Sequence, residues 1–193
     1  MQIGAFYTNP YEKLATMKRV NRSSDDAAGL AISQKLLTQV NGYSKGVENL
    51  QSSNDLANTA EGALSSINDS LSRIKELSNQ ASNGTMTLDD KKIIQTEIDS
   101  LKSSIQDISK NTEFNTQKLL DGTFVNKNIA SNPSGTGSIM SIKNTSLEAL
   151  GIDKFDVTGN FDIEDIDKAI SKVTDSRAEL GATSNGIAHE VSV

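Results

Sequence analysis

The chain has no cysteine, no tryptophan and a single histidine in 193 residues. Disulfides, thiolate metal sites and a cysteine nucleophile are therefore excluded. His189 alone cannot build an ordinary zinc site, and it stands in no context that suggests a catalytic triad. The GxSxG, HExxH and glycine-rich phosphate-loop patterns are missing as well. The chain reads as a non-enzyme with no cofactor and no metal. Aromatic residues make up 4 %, so a spherical core would lack the large side chains that usually fill one. No apolar run approaches the roughly 20 residues of a membrane span. The opening MQIGAFYTNPY has neither the basic region nor the apolar stretch of a cleaved signal peptide. Clustered positive charge is also absent: the net charge is −6, with Lys and Arg spread along the chain. No nucleic-acid or membrane partner is expected on these grounds.

What remains is helical pattern. Ser23, Ser24, Asp25 and Asp26 place side-chain acceptors and negative charge where a helix start has unpaired N–H groups. That position accounts for the Asp25–Asp26 pair without a catalytic or metal role. From about Asp25 to Ala81 apolar residues recur in alternating steps of four and three. Leu36, Val40, Tyr43, Val47 and Leu50 form one set, and Ala60, Leu64, Ile67, Leu71 and Ile74 continue it. Gly42, Gly46 and Gly62 weaken the helix unless they permit close packing or mark bends. Asn83-Gly84 reads as a left-handed stop. Thr87 caps a second helix with a seam at Ile94, Ile98, Leu101, Ile105 and Ile108, ending near Lys110 to Thr112. Asn111, Thr112, Phe114 and Asn115 are expected to fix the following turn, with Phe114 buried.

Glycine, asparagine and proline then break any helix. Thr123–Val125 and Ser138–Ile142 read as short strands of one or two hairpins, and Ser146 to Ile152 as a single helical turn. A third helix starts at Asp162, with Phe161 stapled on Ile166, and its seam runs to Ile187 with Arg177 and Ser184 interrupting. No seam is stable alone. The predicted fold is mainly α: an elongated antiparallel helical bundle, coiled-coil-like, with a small β-hairpin region at one end. Its segments are 1–24 (an N-terminal remnant), 25–120 (two long core helices), 121–160 (hairpin and loop) and 161–193 (the third core helix).

Seven runs carry a family resemblance in order along the chain: EKLATMKRV (12–20), NRSSDDAAGLAISQKL (21–36), TAEGAL (59–64), SRIKELSNQASNGT (72–85), IQTEI (94–98), NTEFNTQKLLDG (111–122) and SRAELGATSNGIAHEV (176–191). Together they resemble bacterial flagellin. Thr16 and Met17 depart from the family's usual Ser-Gly type pair. The chain also resembles the family's core domain alone, with the terminal helices absent and the variable domains replaced by 124–160. The resemblance implies a structural subunit of the flagellar filament, packing laterally and axially with other flagellin subunits. It implies an extracellular location, reached through the flagellar type III apparatus without a cleaved signal peptide, and partners among flagellar export and assembly chaperones. It further implies a face read by the vertebrate Toll-like flagellin receptor, at Arg73, Leu77 and Glu97. An ordinary solvated helix face with a charged pair explains the same residues. With the end helices absent, the chain is expected to stay monomeric and not to elongate filament seeds. Three other readings stand beside this one: a non-polymerising module that engages the receptor or a chaperone, a hook–filament junction protein, and an unrelated coiled-coil scaffold.

Overall fold

The computed structural model describes residues 10–23 and 26–192. A short helix α1 (Pro10–Thr16) precedes the spine of the molecule, α2 (Ala27–Ala81). At about 1.5 Å per residue, α2 is about 80 Å long. Asp26 is its N-cap, accepting a 2.8 Å hydrogen bond from the Gly29 amide at Oδ1. Ser24 and Asp25, expected to share that role, lie outside the described residues.

The end of α2 differs from the expected left-handed stop. Ser82 closes the helix in right-handed conformation, with φ at −70°, and its amide donates to Ser78 O. Neither Asn83 nor Gly84 has a positive φ. Instead Asn83 N donates to Gln80 O, a tightened last turn that needs no left-handed residue.

Helix α3 (Leu88–Asn111) runs back along α2. Thr87 is its N-cap, in a reciprocal capping box with Asp90: Asp90 N donates to Thr87 Oγ1, and Thr87 N to Asp90 Oδ2. A tight hairpin follows, β1 (Glu113–Phe114) with β2 (Gln117–Lys118). Its two loop residues, Asn115 and Thr116, both have positive φ, as a two-residue hairpin of right-handed twist requires. Phe114 is only half-buried. Leu119 and Leu120, both fully buried, anchor this corner in its place.

The second hairpin joins β3 (Lys127–Ala130) and β4 (Gly137–Met140), with Lys127 opposite Met140 and Ala130 opposite Gly137. The first strand lies later than the expected Thr123–Val125. Asn126, at φ 52°, turns the chain before pairing begins, and Thr123–Val125 stays outside the ladder. Asn132 organises the hairpin loop, its Oδ1 accepting from the amides of Ser134 and Thr136.

The chain then returns between α3 and α5 (Ile163–Ser192), carrying the one-turn helix α4 (Leu147–Leu150). Gln95 on α3 accepts from the Val157 amide at 2.9 Å, and Lys102 donates to Asp153 O. Leu150, Ile152, Phe155 and Val157 are buried and fill the groove between the two helices. Phe161 lies edge-on to Phe155, with ring centroids 5.8 Å apart.

α5 packs antiparallel along α2. The core is the seam of α2 from Leu50 onward, closed by Ile94, Ile98 and Ile105 of α3 and by Ile166, Ala169, Val173, Leu180 and Ile187 of α5. Each buried Leu or Ile contributes about 1.5–3 kcal/mol relative to its exposed state. No described helix is long and apolar enough to cross a membrane.

Candidate functional site

Three features of the helical surface can engage another molecule or set the shape that does so. The first is the face around Arg73. Its Nε and Nη2 donate to Glu97 Oε1 across the α2–α3 groove, at 3.0 and 2.8 Å, and its Nη1 donates to Glu76 Oε2 at 3.1 Å. The hydrogen bond to Glu97, followed by that to Glu76, raises the Arg73 pKa above its ordinary value. Arg73 and Glu97 are each about half exposed, at 50 % and 48 %. Leu77 is not exposed with them; it retains 2 % of its surface and belongs to the core. The structure thus brings Arg73 and Glu97 together on the surface and places Leu77 beneath them. Glu76, which sequence reasoning did not single out, completes the charged cluster. Its spacing of three residues from Arg73 is the available signal.

The second feature is an open apolar stripe on the first half of α2. Leu36, Val40 and Tyr43 are exposed at 55, 65 and 58 %, and Val47 at 37 %. Among the described residues this row is not buried on another helix as expected, although the β3–β4 loop rests on the same stretch at Gly42 and Gly46. The last turns of α5 close against its inner end. There His189, Glu190 and Val191 meet Tyr43, Val47 and Leu50 around a cleft of about 630 Å³.

The third feature is a polar ladder between α2 and α5. Asn54, Glu61, Asn68 and Lys75 are spaced by seven residues on α2. Asn54 Oδ1 accepts from Ser184 Oγ at 2.6 Å, Glu61 from Arg177 Nη2 at 3.1 Å, and Lys75 pairs with Asp167 at 2.5 Å. The two residues expected to interrupt the α5 seam, Arg177 and Ser184, are therefore rungs that match its register to α2. Asn68 is the rung without a match: its buried Oδ1 has no hydrogen-bond partner.

With this geometry in place, the chain can be compared with known proteins. A family model described as the bacterial flagellin N-terminal helical region matches residues 4–125. The chain belongs to the bacterial flagellin family. It is 35 % identical over 190 residues to a flagellin of Halalkalibacterium halodurans, covering 93 % of this chain and 69 % of that one. It is 36 % identical to a flagellin of Bacillus subtilis, covering 93 % and 72 %. A flagellin of Clostridium tyrobutyricum is 49 % identical over 114 residues, 59 % of this chain and 30 % of the relative. The chain therefore spans 30 to 72 % of the length of these relatives. The crystal structure of Bacillus cereus flagellin superposes with a TM-score of 0.65 at 27 % identity, covering 76 % of this chain and 88 % of that one.

A flagellin is a structural protein, and its place is the flagellar filament outside the cell. Of the readings drawn from sequence, the filament subunit is the one the relatives support, and the non-polymerising module is not favoured.

Proposed function

We propose that the chain packs into the flagellar filament through the exposed faces of its helices, with the open stripe of α2 as the principal apolar contact. The observation that carries this reading is the stripe itself: a heptad row exposed among the described residues and continuous with the buried α2–α5 seam. Covering a half-exposed Leu, Val or Tyr contributes about 1 kcal/mol each. Repeated along a head-to-tail array that does not close, contacts of that size sustain a filament. Co-sedimentation of labelled chain with flagellin filament seeds tests it. The chain pellets with seeds, and Val40→Lys with Tyr43→Lys releases it. Equal pelleting of the variant, or no pelleting of either, overturns the assignment. Light scattering at several concentrations, with and without seeds, separately checks the expectation that the chain stays monomeric and does not elongate seeds: it is captured by them without lengthening them.

The Arg73–Glu97 pair is our proposed contribution to the surface read by the vertebrate Toll-like flagellin receptor, with Leu77 holding the two helices beneath it. The resemblance to flagellin and the exposure of both charges support this. Receptor-reporter cells treated with Arg73→Ala or Glu97→Ala chain respond less than to the parent chain, while circular dichroism shows unchanged helix. An undiminished response removes the pair from the receptor surface. Export by the flagellar type III apparatus, with assembly chaperones as partners, completes the proposal. Secretion that persists in cells lacking that apparatus overturns it.

A further inference from the structure

The chain contains three Asn–Gly pairs, at 41–42, 83–84 and 185–186. All three asparagines are exposed. Each pair has the atoms for a spontaneous ring closure. The glycine nitrogen attacks the asparagine Cγ, an N–Cγ bond forms, and the Cγ–Nδ2 bond breaks with loss of ammonia. Water then opens the cyclic imide at either carbonyl, leaving aspartate or isoaspartate.

Two of the pairs are locked. Asn41–Gly42 lies inside α2 and Asn185–Gly186 inside α5, where the glycine amide is committed to the helix ladder and held away from the preceding side chain. Gly42 is also packed on the ring of Pro133. Asn83–Gly84 differs in lying outside both helices, although Gly84 shares its open surroundings with Gly186. It lies in the link between α2 and α3, a Cβ at Gly84 would meet nothing within 4 Å, and no hydrogen bond engages the Gly84 amide. Asn83 Oδ1 accepts from Thr85 N at 3.1 Å and from Thr85 Oγ1 at 3.0 Å. These two donors withdraw electron density from Cγ. They also sit where the tetrahedral adduct would carry its negative charge, as donors in an oxyanion hole do. Asp121–Gly122 has the same pair of donors, from Thr123, but an ionised carboxylate there resists attack.

We propose that Asn83 is a site of self-modification, converting to aspartate and isoaspartate in the folded protein well ahead of Asn41 and Asn185. The product places a negative charge at the C-terminal end of α2, where the helix dipole is already negative. Isoaspartate also adds a methylene to the main chain of the link. The modification therefore loosens the turn that sets α3 against α2.

The test is an incubation of the full chain at mildly alkaline pH, with tryptic peptides followed by fragmentation mass spectrometry. Residues 76–91, 36–45 and 178–193 report the three sites. In the folded protein Asn83 reacts at least about tenfold faster than either helical asparagine, the factor for about 1.4 kcal/mol of local helix opening. In urea the three rates converge. Equal rates in the folded chain, or an Asn83 that survives folded and reacts only in urea, overturn the proposal. Thr85→Val removes the hydroxyl donor and slows Asn83 by about three- to tenfold, the worth of one hydrogen bond. An unchanged rate shows that Thr85 does not activate the site.

Discussion

The two halves of α2 share one heptad pattern and have opposite fates. From Leu50 to Ala81 the seam is covered, with Leu64, Ile67, Leu71 and Ile74 at zero exposure. From Leu36 to Val47 the same spacing, carried by Leu, Val and Tyr, stays largely in solvent. In the described structure α3 and α5 cover the second half, while the first carries the β3–β4 loop and the last turns of α5 at its inner end. An apolar row is thus a capacity for burial, and the path of the rest of the chain decides whether it becomes core or contact surface.

Truncation on each side measures the contrast. Ile67→Ala or Leu71→Ala removes methyl groups from a closed seam and lowers unfolding free energy by about 2–5 kcal/mol in urea titrations. Val40→Ala, in the open half, changes it by about 0.5 kcal/mol or less, because little cavity forms where solvent already reaches. A comparable loss at both positions would mean that the stripe is covered in solution.

The glycines of α2 sharpen the same contrast. Gly46 lies against the backbone of Ser131, and a Cβ there would collide with the Ser131 carbonyl oxygen. Gly42 meets Pro133, where a Cβ would stand 2.7 Å from the ring. The β3–β4 loop therefore rests on a stretch of helix that only glycine leaves bare enough. Gly46→Ala displaces the hairpin and costs about 1–3 kcal/mol, as other overpacked contacts do. Gly62 has nothing within 4 Å of a new Cβ, so Gly62→Ala stabilises by about 0.5–1 kcal/mol through helix propensity alone. Opposite shifts in melting temperature for two Gly→Ala changes in one helix are the expected result.

The polar ladder contributes less. The Glu61–Arg177 pair is partly exposed, and a double-mutant cycle with alanine at both positions returns a coupling of about 0.5–1 kcal/mol. Its larger role is in register, where a mismatched rung leaves a charge against the seam.

The smallest effect is on acid stability. Thr87, Thr123 and Thr158 hydroxyls and amides hydrogen-bond the carboxylates of Asp90, Asp121 and Asp156 and lower their pKa values. Groups depressed in the folded state stabilise it above the unfolded carboxyl value, about 4, and lose that contribution as pH falls through the folded values. The melting temperature consequently drops below about pH 4, and replacing all three by Asn flattens that part of the profile. An unaltered profile would place the acid sensitivity in other carboxylates.

Much of this architecture was legible. Thr87 and Asp26 as caps, the span of the second and third long helices, the turn at Ser146 and the seams at Ile98 and Ile166 all follow from short-range pattern. The errors share a cause. Phe114 reads as buried by its type, yet Leu119 and Leu120 take the interior because the two-residue hairpin turns them inward. Thr123–Val125 reads as strand by composition, yet Asn126 bends the chain before pairing starts. Arg177 and Ser184 read as defects because their partners lie more than a hundred residues away.

By itself, the sequence determined where the three long helices start and stop, the phase of each apolar row and the flagellin family, since each depends on neighbours within a few turns or on ordered motifs. Only the tertiary structure decided which half of the α2 row is core, what Gly42 and Gly46 make room for, and which polar residues meet across the seam. Helical periodicity sets the direction in which a side chain points; what lies opposite depends on where distant segments are brought.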